Sequence, residues 1–130
     1  QGEISEQIFA TKCFVEYGYM VSQPNGTTDY DLVVDVNGSL KKVQVKSSKK
    51  GNGNINICKG TNAVKSGKQG KYPYPEESID FFAIHNIPKN DWYIIPRSAT
   101  GDTMNLRIAL KREGKYTRYK DNWNFNYEKT

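Results

Sequence analysis

Acidic residues are missing from the whole middle of this 130-residue chain. None occurs from residue 36 to residue 75, while nine lysines do: Lys41, Lys42, Lys46, Lys49, Lys50, Lys59, Lys65, Lys68 and Lys71. The net charge is +5, so with nine positive charges in this stretch the other residues together carry −4. A segment of one sign is either a solvated loop or the electrostatic footprint of a polyanion such as a nucleic-acid backbone. Histidine is nearly absent too: His85 stands alone, which argues against nucleases built on a histidine base with histidine metal ligands. No Gly-x-x-x-x-Gly-Lys-Ser/Thr run exists, so cradling of a nucleoside triphosphate is unsupported. The two cysteines, Cys13 and Cys58, are isolated and match no zinc spacing. They read as reduced, small apolar fillers of a cytoplasmic protein. No apolar run reaches the length of a membrane span, and none has the shape of a secretory leader. Gln1 in place of a starting Met leaves room for an upstream segment.

What is present begins with a hairpin. Residues 30–36 (Tyr-Asp-Leu-Val-Val-Asp-Val) and 39–46 (Ser-Leu-Lys-Lys-Val-Gln-Val-Lys) alternate as strands around Asn37-Gly38. Asn-Gly suits a two-residue turn with φ > 0 at both positions. Facing residue numbers then sum to a constant: Val36 faces Ser39, Leu32 faces Val43 and Tyr30 faces Val45, which makes one face apolar. Asp31, Gln44 and Lys46 fall on the other face. An acid, a side-chain carbonyl and a lysine converging there point to metal-assisted phosphodiester chemistry. Mg²⁺ takes one or two carboxylates, keeps several waters and accepts phosphate oxygens. Asp31 is the expected first ligand and the backbone carbonyl of Val45 a second oxygen. Lys46 can hold or deprotonate the attacking water and offset charge in the transition state. The plain alternative makes Asp31 a surface acid paired with Lys46. Asp29 rivals Asp31, since the same register sets it opposite Lys46. Asp35 lies nearer the turn, opposite Leu40, and reads as structural.

Upstream, a helix is expected from residue 3 to 17, stopped by Gly18. Ile4, Ile8 and Val15 make one apolar stripe, and Phe9, Cys13 and Tyr17 make another that includes Glu6. A carboxylate on an apolar face needs a partner; the alternative is an end-of-helix Glu favoured by the dipole. Downstream, residues 47–53 read as a turn and 54–58 as a third strand. Residues 59–78 have weak helical potential only near 61–66. Apolar strands follow at 79–86 (with His85 as a polar or core-edge residue) and 91–95, and 104–110 alternates as another. Trp123 and Phe125 anchor the tail. One domain spans 1–130, with a basic Lys/Gly/Asn-rich segment at about 47–78.

These residues resemble the PD-(D/E)XK nuclease superfamily. Gly2-Glu3-Ile4-Ser5-Glu6 matches its helix motif, Tyr30-Asp31-Leu32 its first hairpin strand, and Gln44-Val45-Lys46 its second, with Gln in place of the usual acid. Residues 79–84 and 92–96 resemble the later core strands, so the likeness covers roughly residues 2–96. The Gln-x-Lys variant is most similar to cyanobacterial intron-encoded homing endonucleases, with Holliday junction resolvases as more distant relatives. The resemblance implies a restriction-endonuclease-like α/β fold, a mixed sheet flanked by helices. It also implies a Mg²⁺-dependent endonuclease on double-stranded DNA, working as a homodimer or homotetramer. Glu6 and Asp31 would bind metal, Gln44 would position metal or water, and Lys46 would serve the nucleophile. Lys49, Lys50, Lys59, Lys65, Lys68 and Lys71 are candidates for phosphate contacts. Gln44 leaves one carboxylate fewer than the usual pattern, so weaker metal binding is expected. Junction resolution and a catalytically decayed DNA-binding module are the alternatives.

Overall fold

The structure, a computed structural model, describes residues 2–49, 54–60, 70–108 and 114–128. The chain opens with helix α1 (Gly2–Tyr17). Gly18 then turns at φ +73°. Its N–H still reaches the Phe14 carbonyl, and the Tyr19 N–H folds back to that of Cys13, so a residue free to take left-handed φ ends the helix as expected. Strands β1 (Met20–Ser22), β2 (Leu32–Val36) and β3 (Ser39–Ser48) follow. Asn37 and Gly38 have φ of +53° and +94°, as a primed hairpin turn requires. The register is the expected one, with Val36 opposite Ser39 and Leu32 opposite Val43. The Gly38 N–H donates to the Asp35 carboxylate at 2.7 Å, which gives Asp35 its structural role.

β3 runs two residues further than the sequence suggested. Ser47 and Ser48, expected in a turn, pair with His85 and Asn86 of β7 (Phe81–Asn86) in a parallel ladder that begins at Val43–Phe81. β8 (Asp91–Pro96) closes the other side of β7, so the five-stranded sheet has the order β1-β2-β3-β7-β8. β7 is buried along its whole length, as a strand covered on both faces must be.

The two faces are covered differently. Phe9 and Cys13 of α1 pack with Leu32, Val34, Val43, Val45, Phe81, Trp92, Trp123 and Phe125 on one face. Trp123 and Phe125 thus anchor the tail, as expected. Ile4 and Val15 point to solvent instead, at 60% and 72% exposure; of the two stripes, only the one carrying Phe9 meets the sheet. The thiol of Cys13 is pushed up to about 12 by burial. Both cysteines are free thiols.

On the opposite face, the parallel connection from β3 to β7 is built, among the described residues, from short strands rather than an α-helix. The expected single strand at 54–58 divides into β4 (Asn54–Asn56) and β5 (Cys58–Gly60), because the Asn56 side chain accepts the Cys58 N–H and breaks the extended run. β5 pairs with β6 (Lys71–Pro73), and β4 pairs with β9 (Asn105–Arg107). The weak helix near 61–66 lies outside the described residues. Ile55, Ile57, Tyr74, Phe82, Ile84, Ile95 and Leu106 fill this second layer.

Candidate active site

The β2–β3 ladder stops at Leu32–Val43, and the site lies where it stops. One residue further out, the Asp31 N–H bonds the Val43 carbonyl at 2.9 Å, a step off the hairpin's constant-sum register. A slip of one residue exchanges faces. Tyr30, expected opposite Val45 on the helix-side face, accordingly packs against the second apolar layer. Beyond this point, among the described residues, no strand pairs with β3 on its β2 side. The Val45 N–H that would have continued the ladder is taken by the Asp31 carboxylate at 2.8 Å. In a strand, a residue's N–H and C=O share an edge, so the Val45 carbonyl lies on the same open edge as Asp31.

Glu6, on the first turns of α1, is half-buried. Its carboxyl is held above the usual range by burial and then by the negative charges of Asp31 and Glu3. Burial likewise raises Asp31, against the opposing pull of the Val45 N–H and the Lys46 ammonium. Two carboxylates that repel each other beside one lysine form a site that gains from a cation. The helix start that carries Glu6 is pinned: Ser5 Oγ meets His85 Nδ1 at 3.0 Å, while His85 Nε2 meets Asn90 Oδ1 at 2.9 Å. His85, stacked on Trp92 at 4.2 Å, therefore acts in support of the helix.

Gln44 is buried and directionally held. Its Nε2 donates to the Asp29 carbonyl and to the Tyr74 hydroxyl, both at 2.8 Å. Its Oε1 is buried and has no hydrogen-bond partner among the described residues, an arrangement that costs free energy unless something binds there. Tyr74 is itself clamped, because the buried Arg97 donates from Nε and Nη2 to its carbonyl at 2.9 and 2.6 Å. Tyr74 and Arg97 escaped the sequence reading. Neither belongs to a local motif, and they join the site through contacts far apart in the chain. An arginine directly after the apolar run that ends at Pro96 was the one available signal.

Asp29, the rival to Asp31, is otherwise engaged. Its carboxylate pairs with Lys59 Nζ at 2.7 Å. Burial pushes its carboxyl up, but Lys59 and the Ser78 hydroxyl outweigh that and hold it below the usual range. Lys59, a candidate phosphate contact, is therefore already ion-paired at the rim of the site. Lys49 and Lys71 are exposed, and Lys50, Lys65 and Lys68 lie outside the described residues. No group of three or more His, Cys, Asp or Glu side chains forms among the described residues. The protein oxygens that fit a hard cation are those of Asp31, Glu6 and the Val45 carbonyl; the orphaned Oε1 belongs to Gln44, the residue before Val45 on β3. A cavity of about 450 Å³ beside α1, lined by Gln7, Ile8, Lys12 and Trp92 among others, includes none of these groups.

An acid at the ladder's end, Gln-Val-Lys on the neighbouring strand and a glutamate on the covering helix sit on a mixed sheet of the restriction-endonuclease-like fold. Residues 1–126 match the PD-(D/E)XK endonuclease family, and the chain belongs to it. Among solved structures it is similar to I-Ssp6803I, a bacterial homing endonuclease, with 25% identity and a TM-score of 0.76. That match covers 94% of this chain and 87% of the other. No curated protein matches.

Proposed function

We propose that this endonuclease is a Mg²⁺-dependent, sequence-specific enzyme of the homing type that hydrolyses phosphodiester bonds of double-stranded DNA. The observation that carries the proposal is the open edge of β3. There the Asp31 carboxylate takes the place of a strand, Glu6 and Lys46 act on it electrostatically, and Gln44 presents a buried, unpaired oxygen. Mg²⁺ suits this donor set of Asp31, Glu6 and the Val45 carbonyl, and when bound it supplies positive charge at the phosphate and an acidified water. The chain's own residues do the rest. Lys46 holds the attacking water and offsets negative charge gathering on the phosphate as the new P–O bond forms and the old one breaks. Gln44 accepts a hydrogen bond at Oε1 from a water, its orientation set by Tyr74 and the Asp29 carbonyl. Losing one carboxylate to Gln44 weakens the hold on the metal, and Glu6 supplies the missing charge.

The similarity to a homing endonuclease supports duplex cleavage at a long site, and one site per chain calls for a homodimer or homotetramer to cut both strands. The experiment is a competition. Cleavage of a duplex selected from a random library is measured against a four-way junction of unrelated sequence, with Mg²⁺ and with EDTA. Preference for the selected duplex in Mg²⁺ alone is expected. Preference for the junction regardless of sequence would reassign the enzyme to junction resolution. DNA binding without cleavage in any metal would make it a decayed binding module.

A further inference from the structure

The ribbon of β4 and β9 has two unlike faces. Inward, Ile55 and Leu106 stand opposite each other at 4% and 0% exposure. They join the apolar layer that contains Phe82 and Ile84, the sheet partners of Gln44 and Lys46. Outward, Asn54 stands opposite Arg107 and Asn56 opposite Asn105, and all four are exposed. The ribbon is therefore fixed by its buried pair to the same sheet face that carries Gln44 and Lys46, and it turns three amides and a guanidinium to solvent.

We infer that this outer face, chiefly Asn105 and Arg107, reads base edges in the major groove of duplex DNA. A two-stranded antiparallel ribbon fits that groove, where Asn pairs with adenine and Arg with guanine through two hydrogen bonds each. The side chains of Asn105 and Arg107 make no hydrogen bond or ion pair with other described residues, so their donors and acceptors are available. Asn56 is partly committed. Its Oδ1 accepts the Cys58 N–H at 3.0 Å and the Cys58 S–H at 2.9 Å, which fixes the amide and leaves its NH₂ outward as a donor to N7, O6 or O4. The ribbon itself carries no acid, and β4 lies within the acid-free stretch of residues 36–75, so a polyanion can approach. Side chains two residues apart on a strand are about 6.8 Å apart. This is close to two base-pair steps, so Asn105 and Arg107 reach positions about two base pairs apart. A face built only for solubility would have no reason to gather amides and a guanidinium without an acid among them.

The inference rests on duplex DNA being the substrate. Its test is a sequence profile of the full chain, taken twice: as binding to a randomised duplex library in EDTA and as cleavage of that library in Mg²⁺. Asn105→Ala and Arg107→Ala are compared with the parent at several salt concentrations. The expected result is a loss of discrimination of about 10-fold or more at one or two base pairs per variant, about two base pairs apart between variants, with other positions unchanged. Arg107→Lys should keep the general affinity but not the discrimination. A uniform loss across all sequences, with the salt slope of log K reduced by about 0.9, would make Arg107 a phosphate contact and overturn base reading. Unchanged profiles in both variants would also overturn it. A parent that cuts DNA in Mg²⁺ without sequence preference refutes base reading and leaves the endonuclease standing. A parent that cuts no DNA strikes the proposed activity itself.

Discussion

The two ends of the β2–β3 hairpin obey different rules. At the turn end, every residue from Leu32 to Val36 faces its partner in register, and the one acid there, Asp35, caps the turn through the Gly38 N–H. At the open end the ladder stops, the chain slips by one residue, and the acid there caps the edge of β3 through the Val45 N–H. Both aspartates accept one backbone N–H at similar length, yet only Asp31 stands beside a second carboxylate and a lysine. Position along the ladder separates a structural acid from the acid proposed to be catalytic. Where strands pair, backbone groups satisfy one another. Where pairing ends, carbonyls and N–H groups are left for side chains, ions and substrate.

The sharpest way to break this comparison is to alter the two acids separately. Asp31→Asn and Lys46→Ala should each reduce the single-turnover cleavage rate by more than about 100-fold, the scale of losing a preorganised electrostatic group. Asp35→Ala should leave that rate unchanged while lowering stability by about 1 kcal/mol, the worth of one hydrogen bond, read by urea unfolding. Equal effects of the two aspartates on cleavage would erase the distinction between the ends. Next in size is Gln44. Gln44→Leu removes the unpaired Oε1 and should be nearly inactive, whereas Gln44→Glu should retain activity. Normal cutting by Gln44→Leu would take this side chain out of the chemistry.

A smaller effect is expected one layer back. Tyr74→Phe removes the hydroxyl that holds Gln44 Nε2, and should slow cleavage by about 2- to 12-fold, the equivalent of 0.5–1.5 kcal/mol. Because Tyr74 only positions Gln44, the defect should vanish in a Gln44→Glu background. Persistence of the defect there would make it a general packing loss.

The smallest effect is on the stability of the metal-free protein. The Asp31 and Glu6 carboxyls are both raised in the fold, by burial first. An acid with a raised folded pKa opposes folding once it ionises: its stabilising share is present below the unfolded pKa and is lost as pH rises through the folded one. At neutral pH the fold therefore carries this cost. Asp31→Asn should raise the metal-free Tm, by about 2 °C for each 0.5 kcal/mol relieved. The gain should disappear in acid, and Mg²⁺ should raise the Tm of the parent only. A metal-free Tm that falls in Asp31→Asn at neutral pH would mean the carboxylate is needed for folding.

The turn end of the hairpin was legible in the sequence because Asn37-Gly38 permits few backbone conformations and alternation sets the register from there. The candidate site residues could be picked out for the same reason: Asp31, Gln44 and Lys46 are local to that hairpin. The point at which the ladder ends was not, since Tyr30 is as good a strand residue as Leu32 and its change of face follows from the single backbone bond between Asp31 and Val43. The extension of β3 through Ser48 depends on β7, more than thirty residues away in sequence, and the division at Ile57 depends on the Asn56 side chain. Tyr74 and Arg97 reach the site through tertiary contacts that no local pattern encodes. Ile4, Ile8 and Val15 show the converse failure, an apolar stripe at good helical spacing that the fold leaves outward.

The central claim is that the open end of β3 is a metal-dependent nuclease site, and a Mg²⁺ titration of cleavage tests it most directly. Rates of the parent, Asp31→Asn and Gln44→Glu are measured on one duplex substrate from EDTA to saturating Mg²⁺. The parent should cut only with metal, and Gln44→Glu should reach half its maximal rate at a lower Mg²⁺ concentration because a carboxylate is restored. Asp31→Asn should stay inactive throughout. Cleavage by the parent in EDTA, or parental rates from Asp31→Asn at any Mg²⁺ concentration, would contradict the claim.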